Sequence, residues 1–212
     1  LEYTLGASEV TAITIDSNLT DIVVKNGTIK NFTGAGVQVS DNVNRLKIVG
    51  TQFVGCGGQA ISLTGSSPFS MGDFAIDGCD LIQCGTAAIS GISISQGIDG
   101  KITNCTLSRC GPNDSAYTSL ALSSCLKIFC NNIDILDNNA LTNYIGIDLS
   151  SVAQSQVRDS RIRNAILTNA AATARGIRLG EGSTGNEIYG CTISGLAAPA
   201  APAAAYCPLG RC

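Results

Sequence analysis

The sequence has no histidine, no tryptophan and one methionine, and only 14% of its residues are charged. Without histidine there is no Ser-His-Asp triad, no zinc hydrolysis through imidazole and no histidine-held haem. Any catalysis must run on Asp, Glu, Lys, Arg, Tyr or Cys. Thirteen basic residues stand against 16 acidic ones and no two Lys or Arg are adjacent, so the footprint for gripping nucleic acid is missing. No apolar run reaches the roughly 18 residues that cross a bilayer, and Ala197 to Ala205 is short and broken by Pro199 and Pro202. A chain that starts at Leu1 with no signal peptide is expected to be a processed product or a fragment.

What the sequence does have is a repeat. Seven five-residue segments alternate small, apolar, variable, apolar, small: Ala12-Ile-Thr-Ile-Asp16, Gly36-Val-Gln-Val-Ser40, Ala60-Ile-Ser-Leu-Thr64, Gly91-Ile-Ser-Ile-Ser95, Ser119-Leu-Ala-Leu-Ser123, Gly146-Ile-Asp-Leu-Ser150 and Gly176-Ile-Arg-Leu-Gly180. Period-2 alternation marks a strand with one buried face. Between these segments lies a second motif: Val24 to Ile29, Ile48 to Phe53, Ile76 to Leu81, Ile102 to Leu107, Ile128 to Ile133, Val157 to Ile162 and Ile188 to Ile193. Its third position reads Asn26, Gly50, Gly78, Asn104, Cys130, Asp159 and Gly190, six of which tolerate a left-handed backbone, so it is read as a corner. Three short strands per turn of about 26 residues cannot bury their apolar faces alone, and successive turns must stack at about 4.8 Å around a shared core. The expected fold is all-β, a right-handed parallel β-helix (β-solenoid) of about seven coils over residues 1–195, followed by an Ala/Pro-rich tail, 196–212, carrying Cys207 and Cys212.

These motifs resemble the pectate-lyase-like right-handed parallel β-helix superfamily over residues 12–195. The resemblance implies a fold in which a left-handed Asn separates the second and third strands of each coil, and it spans lyases, hydrolases, tailspikes and adhesins. In its carbohydrate enzymes the substrate lies along the outward face of the first strands. Here that face reads Thr14, Gln38, Ser62, Ser93, Ala121, Asp148 and Arg178. Hydrolysis needs two carboxylates and β-elimination a base beside a cation, so only Asp148 and Arg178 qualify, and a plain surface ion pair on adjacent coils is the favoured reading of them. The Ser and Thr of this face lack the regular Thr-x-Thr array of an ice-binding surface.

Outside the second strands, Lys47, Lys101 and Lys127 are read into one slot, with Ala75 between the first two: a broken basic stripe that suits an acidic glycan or serves solubility. Asp73, Asp77 and Asp80 lack the ligand number of a calcium site, and no cofactor is expected.

The ten cysteines follow the repeat. Cys56, Cys84 and Cys110 fall eight residues after the coil anchor, in a slot read as otherwise holding Phe32, Leu136, Ala165 and Leu196. Cys79, Cys105 and Cys191 follow the corner. Buried thiols as packing groups, disulfides Cys79 to Cys105 and Cys84 to Cys110, and a four-thiolate metal site all remain open. Cys207 and Cys212 stand apart and are expected to pair with each other or with a neighbouring chain, in an oxidising compartment.

A solenoid has two ends whose backbone groups template further strands, and neither end of this chain reads as a polar cap. Self-association through the ends or the tail is therefore expected. The first functional reading is a non-catalytic structural, adhesive or self-assembly module on an extracellular, filament or virion surface. The alternative is a polysaccharide-binding or polysaccharide-processing protein.

Overall fold

The computed structural model describes residues 10–66, 70–85, 90–110, 117–137, 139–140, 143–167 and 173–196. Among these there is no helix, and the strands form three seven-stranded parallel sheets wound as a right-handed β-solenoid. The first sheet stacks Ile13–Ile15, Val37–Val39, Ile61–Thr64, Ile92–Ser95, Tyr117–Ser123, Asn143–Ser150 and Thr173–Leu179. The second stacks Val23–Lys25, Lys47–Val49, Ala75–Asp77, Lys101–Thr103, Phe129–Asn131, Gln156–Arg158 and Glu187–Tyr189. The third stacks Thr28–Lys30, Gln52–Val54, Asp80–Ile82, Thr106–Ser108, Asp134–Leu136, Arg161–Arg163 and Thr192–Ser194. One strand from each makes a coil, so seven coils are joined by six coil-to-coil steps, with a pair of two-stranded patches at the corners.

The alternation of the first motif becomes pairing register. Ile13, Val37, Ile61, Ile92, Leu120, Ile147 and Ile177 form one inward column, and Ile15, Val39, Leu63, Ile94, Leu122, Leu149 and Leu179 another. Because equivalent side chains of neighbouring coils lie one strand spacing apart, each buried Ile or Leu packs on the ones above and below it, gaining about 1.5–3 kcal/mol by leaving water. Ile48, Ile76 and Ile102 are 0% exposed in the second sheet.

Parallel strands this short need sharp corners. Between the second and third sheets the corner residues are Asn26, Gly50, Gly78, Asn104, Asn132, Asp159 and Gly190, all with φ between 48° and 67°. The motif in the fifth coil therefore sits two residues later than the sequence spacing suggests. Cys130, 1% exposed, is the inward anchor paired with Ile102 and Val157, and Asn132 makes the turn. A shift of two residues preserves which side chains face inward, so hydrophobic alternation cannot detect it, whereas a left-handed φ suits Asn and penalises a side chain such as Cys. Two more corner columns are left-handed in every coil: Asp21, Arg45, Asp73, Asp99, Lys127, Gln154 and Gly185, and Asn31, Gly55, Gln83, Arg109, Asp137, Asn164 and Gly195. Side-chain ladders climb the left-handed corners, with Asn42 donating to Asn18 at 2.6 Å in a further left-handed pair, Asn132 to Asn104 at 2.9 Å and Asn104 to Asp77 at 2.8 Å.

Candidate functional site

The first-sheet face is in the expected register: Thr14, Gln38, Ser62, Ser93, Ala121, Asp148 and Arg178 pair in sequence. Its one strong interaction joins the last two. Arg178 donates through Nε to Asp148 Oδ1 at 2.7 Å and through Nη2 to Oδ2 at 2.5 Å. The Asp148 carboxylate holds the Arg178 pKa above its ordinary value, against the partial loss of solvent. Ser150 also donates to Asp148 at 3.3 Å. Asp148 is the only carboxylate among these in-register outward positions, so the second acid that hydrolysis needs has no counterpart on this face.

The second-sheet face is richer. Lys47, Ala75 and Lys101 share one outward column, and both lysines are exposed. That column continues through Phe129, Gln156 and Glu187, and Lys127 is not part of it. The lysine lies two residues earlier, at a corner with φ 55°, because the fifth coil is displaced relative to its sequence spacing. Where the stripe was expected to end, an unexpected cluster stands. The Arg158 guanidinium sits 4.4 Å from the centre of the Tyr189 ring and 5.6 Å from that of Phe129. Among the described residues its Nε is buried with no hydrogen-bond partner, as is that of Arg163, but Arg163 and nearby Arg161 reach the Asp134 carboxylate through Nη2 at 2.8 and 3.4 Å. The cluster spans three successive coils, so residues far apart in sequence meet only once the register is known. The available hint was that two of the chain's ten Phe and Tyr residues fall on outward positions of one sheet.

Of the acidic residues Asp73, Asp77 and Asp80, Asp77 acts as a ladder acceptor, taking hydrogen bonds from Thr103 at 2.6 Å and Asn104 at 2.8 Å. Among the described residues, no group of three or more Cys, Asp or Glu is arranged to hold a metal ion.

Cys56, Cys79, Cys84, Cys105, Cys110, Cys125, Cys130 and Cys191 stand as thiols, the first seven buried. Cys79, Cys105 and Cys191 share the slot just inside the corner with Thr51, Ile133 and Ser160. There the thiol or hydroxyl turns back to the carbonyl two residues earlier, at 3.5 Å for Cys79, 3.2 Å for Cys105 and 2.8 Å for Ser160. Cys56, Cys84 and Cys110 fill the corresponding slot after the third sheet, together with Phe32, Ala165 and Leu196. Leu136 belongs instead to the third sheet, paired with Ser108 and Arg163. Cys207 and Cys212, and all but the first residue of the Ala/Pro tail, lie outside the described residues.

No protein-family model matches this chain, and no curated protein matches it. Among solved structures it is similar to a trypsin-treated variant of QnrB1, described as a plasmid-mediated fluoroquinolone resistance protein. The two share 13% identity over 85% of this chain and 90% of that one, with a TM-score of 0.28. A similarity at this level carries no inference about activity. No comparison links the chain to pectate lyases, and the class defined by its own coordinates is the parallel β-solenoid.

Proposed function

We propose that this chain is a non-catalytic β-solenoid module whose end coils mediate self-association at a cell, filament or virion surface. The observation that carries this reading is where the exposed large apolar side chains lie. Among the described residues they are Leu19, 43% exposed, and Val23, 53%, in the first coil, and Leu179, 42%, in the seventh. Leu19 occupies the corner slot that holds fully buried Val43 and Met71 in the next two coils, and Leu179 the column of buried Leu149. Both are core positions opened at an end, beside strands that, among the described residues, pair on one side only. Another copy of the chain would supply both the missing strand and the missing apolar neighbour. The test is sizing chromatography with negative-stain microscopy of the wild type and of Leu19→Glu and Leu179→Glu variants, with and without reductant. Oligomers or filaments that the substitutions abolish are expected, and a monomeric wild type overturns the reading.

A second reading, an acidic glycan lying along the second sheet, is supported by Arg158. A guanidinium held between two rings, with no carboxylate partner among the described residues, is prepared to bind an anion at little entropic cost. Lys47 and Lys101 stand two coils apart in one column, about 9.6 Å at the usual strand spacing, and Arg158 lies a further two coils along, in the column of Thr103 and Asn131 on the same sheet. Arg158→Gln should weaken retention on an immobilised polyuronate without affecting assembly, and equal retention of both proteins would remove this reading.

A further inference from the structure

The third and fourth coils carry two stacked pairs of thiols. Asp77 pairs with Thr103 in the second sheet and Gly78 N donates to Thr103 O, so the next residues, Cys79 and Cys105, lie one above the other. Five residues on, Cys84 N lies 3.5 Å from Cys110 Sγ. In both cases the upper sulfur leans toward the coil below: Cys105 Sγ reaches Ile76 O at 3.8 Å and Cys110 Sγ reaches Leu81 O at 3.5 Å. Coils stacked at about 4.8 Å bring paired Cα atoms within the 4.4–6.8 Å that a disulfide spans. The thiol hydrogen bonds are dispensable in these slots, since Ile133 replaces the thiol in one column and Ala165 in the other, both 1% exposed.

All four thiols are at most 1% exposed, so an oxidant in solution cannot reach them once the coils have stacked. A raised pKa protects Cys84, Cys105 and Cys110 as well. The Cys110 thiol favours ionisation of Cys84, but its contact with Cys56 and its burial win and push it up to about 12. Cys105 is raised by its hydrogen bond with Cys79 and by burial. Cys79 itself is lowered by the Cys105 thiol, and is protected by inaccessibility alone.

We propose that the redox state of these pairs is set during folding: in an oxidising medium Cys79–Cys105 and Cys84–Cys110 close as two disulfides between the third and fourth coils, and the finished fold then keeps whichever state it was given. In each closure a thiolate attacks a small disulfide such as oxidised glutathione, releasing one glutathione thiol. The partner cysteine then displaces the second, so two protein thiols are oxidised as one glutathione disulfide is reduced. Each bond closes a loop spanning 26 positions in the sequence, and closing either pair brings the other into register. Cys56, stacked beneath Cys84, is left as a thiol.

The test compares full-length chain made by cell-free synthesis in oxidised glutathione with chain made under reductant and exposed to oxidised glutathione only after folding. Disulfides are mapped by mass spectrometry of non-reduced peptides. The first sample should contain both bonds and melt several degrees higher than the reduced protein, and Cys105→Ser or Cys110→Ser should each remove only its own bond. The second sample should contain neither. Oxidation of the folded protein as readily as during synthesis, other pairings among these cysteines, or aggregation under oxidising synthesis of a chain that folds under reductant would each overturn the proposal.

Discussion

Phe74 lays its ring over Gly100 of the following coil, where an added Cβ would sit 2.1 Å from the ring Cζ. Gly97 borders the same ring, with an added Cβ 2.9 Å from Cε1. The fourth coil thus gives up two side chains so that one aromatic ring of the third can fill the corner between them. Gly100→Ala should cost about 1–3 kcal/mol by overpacking. Chemical denaturation will measure that loss, and Phe74→Leu in the same chain should recover much of it.

Two buried tyrosines next to one another in the first sheet, Tyr117 and Tyr144, predict opposite outcomes. The Tyr144 hydroxyl bonds to Ser119 at 3.1 Å, while the Tyr117 hydroxyl, in a residue 1% exposed, finds no nitrogen or oxygen partner among the described residues and meets only the weak Cys110 thiol. Tyr144→Phe should destabilise by about 1 kcal/mol, and Tyr117→Phe should be neutral or stabilising because it removes an unsatisfied buried hydroxyl. Equal losses in thermal melts would contradict the assignment.

The fifth-coil register is checked at Asn132, whose φ is 53°. A β-branched side chain is strained there by about 1–2 kcal/mol, so Asn132→Val should lower stability, and Asn132→Gly should be tolerated apart from the lost bond to Asn104. A larger loss for glycine than for valine would mean that the corner lies elsewhere.

Asp41 ties down the start of the loop after Ile61–Thr64. The Ser66 hydroxyl, then the Ser70 hydroxyl and the Ser66 backbone N–H, favour the carboxylate and lower its pKa from 3.8 to about 2. A carboxylate whose pKa is depressed on folding adds stability above its unfolded value and loses it as pH falls through the folded one. Wild type should therefore exceed Asp41→Asn in stability at pH 6, and the gap should close between about pH 4 and pH 2 in parallel melts.

Asp148 and Arg178 should behave as a structural pair. Because Asp148 is 8% exposed, Asp148→Ala should cost about 2 kcal/mol, between the values of surface and buried pairs. The double alanine variant should lose less than the sum of the single changes and should keep every glycan interaction of the wild type. Selective loss of glycan binding in the double variant would return the pair to the list of functional residues.

Much of this is legible in the sequence. The alternating strands gave the first sheet its register down to Asp148 against Arg178, since inward and outward positions are forced wherever one face is buried. The fifth coil was not legible, because Ile128 and Cys130 are both inward and both buried, and only the backbone at Asn132 separates the two readings. The other left-handed columns were silent for a related reason: Gln83, Arg109, Lys127 and Gln154 are not residues that announce such a conformation. Lys127 was consequently placed on a face when it sits at a corner. The Arg158 cluster depends on contacts between coils, which no local pattern encodes.

In the side-chain ladders at the corners of the described residues, Asn42, Arg45, Asn104, Asn132 and Asn164 each donate to a side chain of the coil before. Under tension the solenoid therefore has a direction. Pulled from its seventh coil, the protein should peel one coil at a time, each rupture breaking one set of strand pairs and one rung at the corners. With strands repeating every 24 to 31 residues, each step frees roughly 90 Å of chain, giving a regular sawtooth of force instead of a single cooperative break.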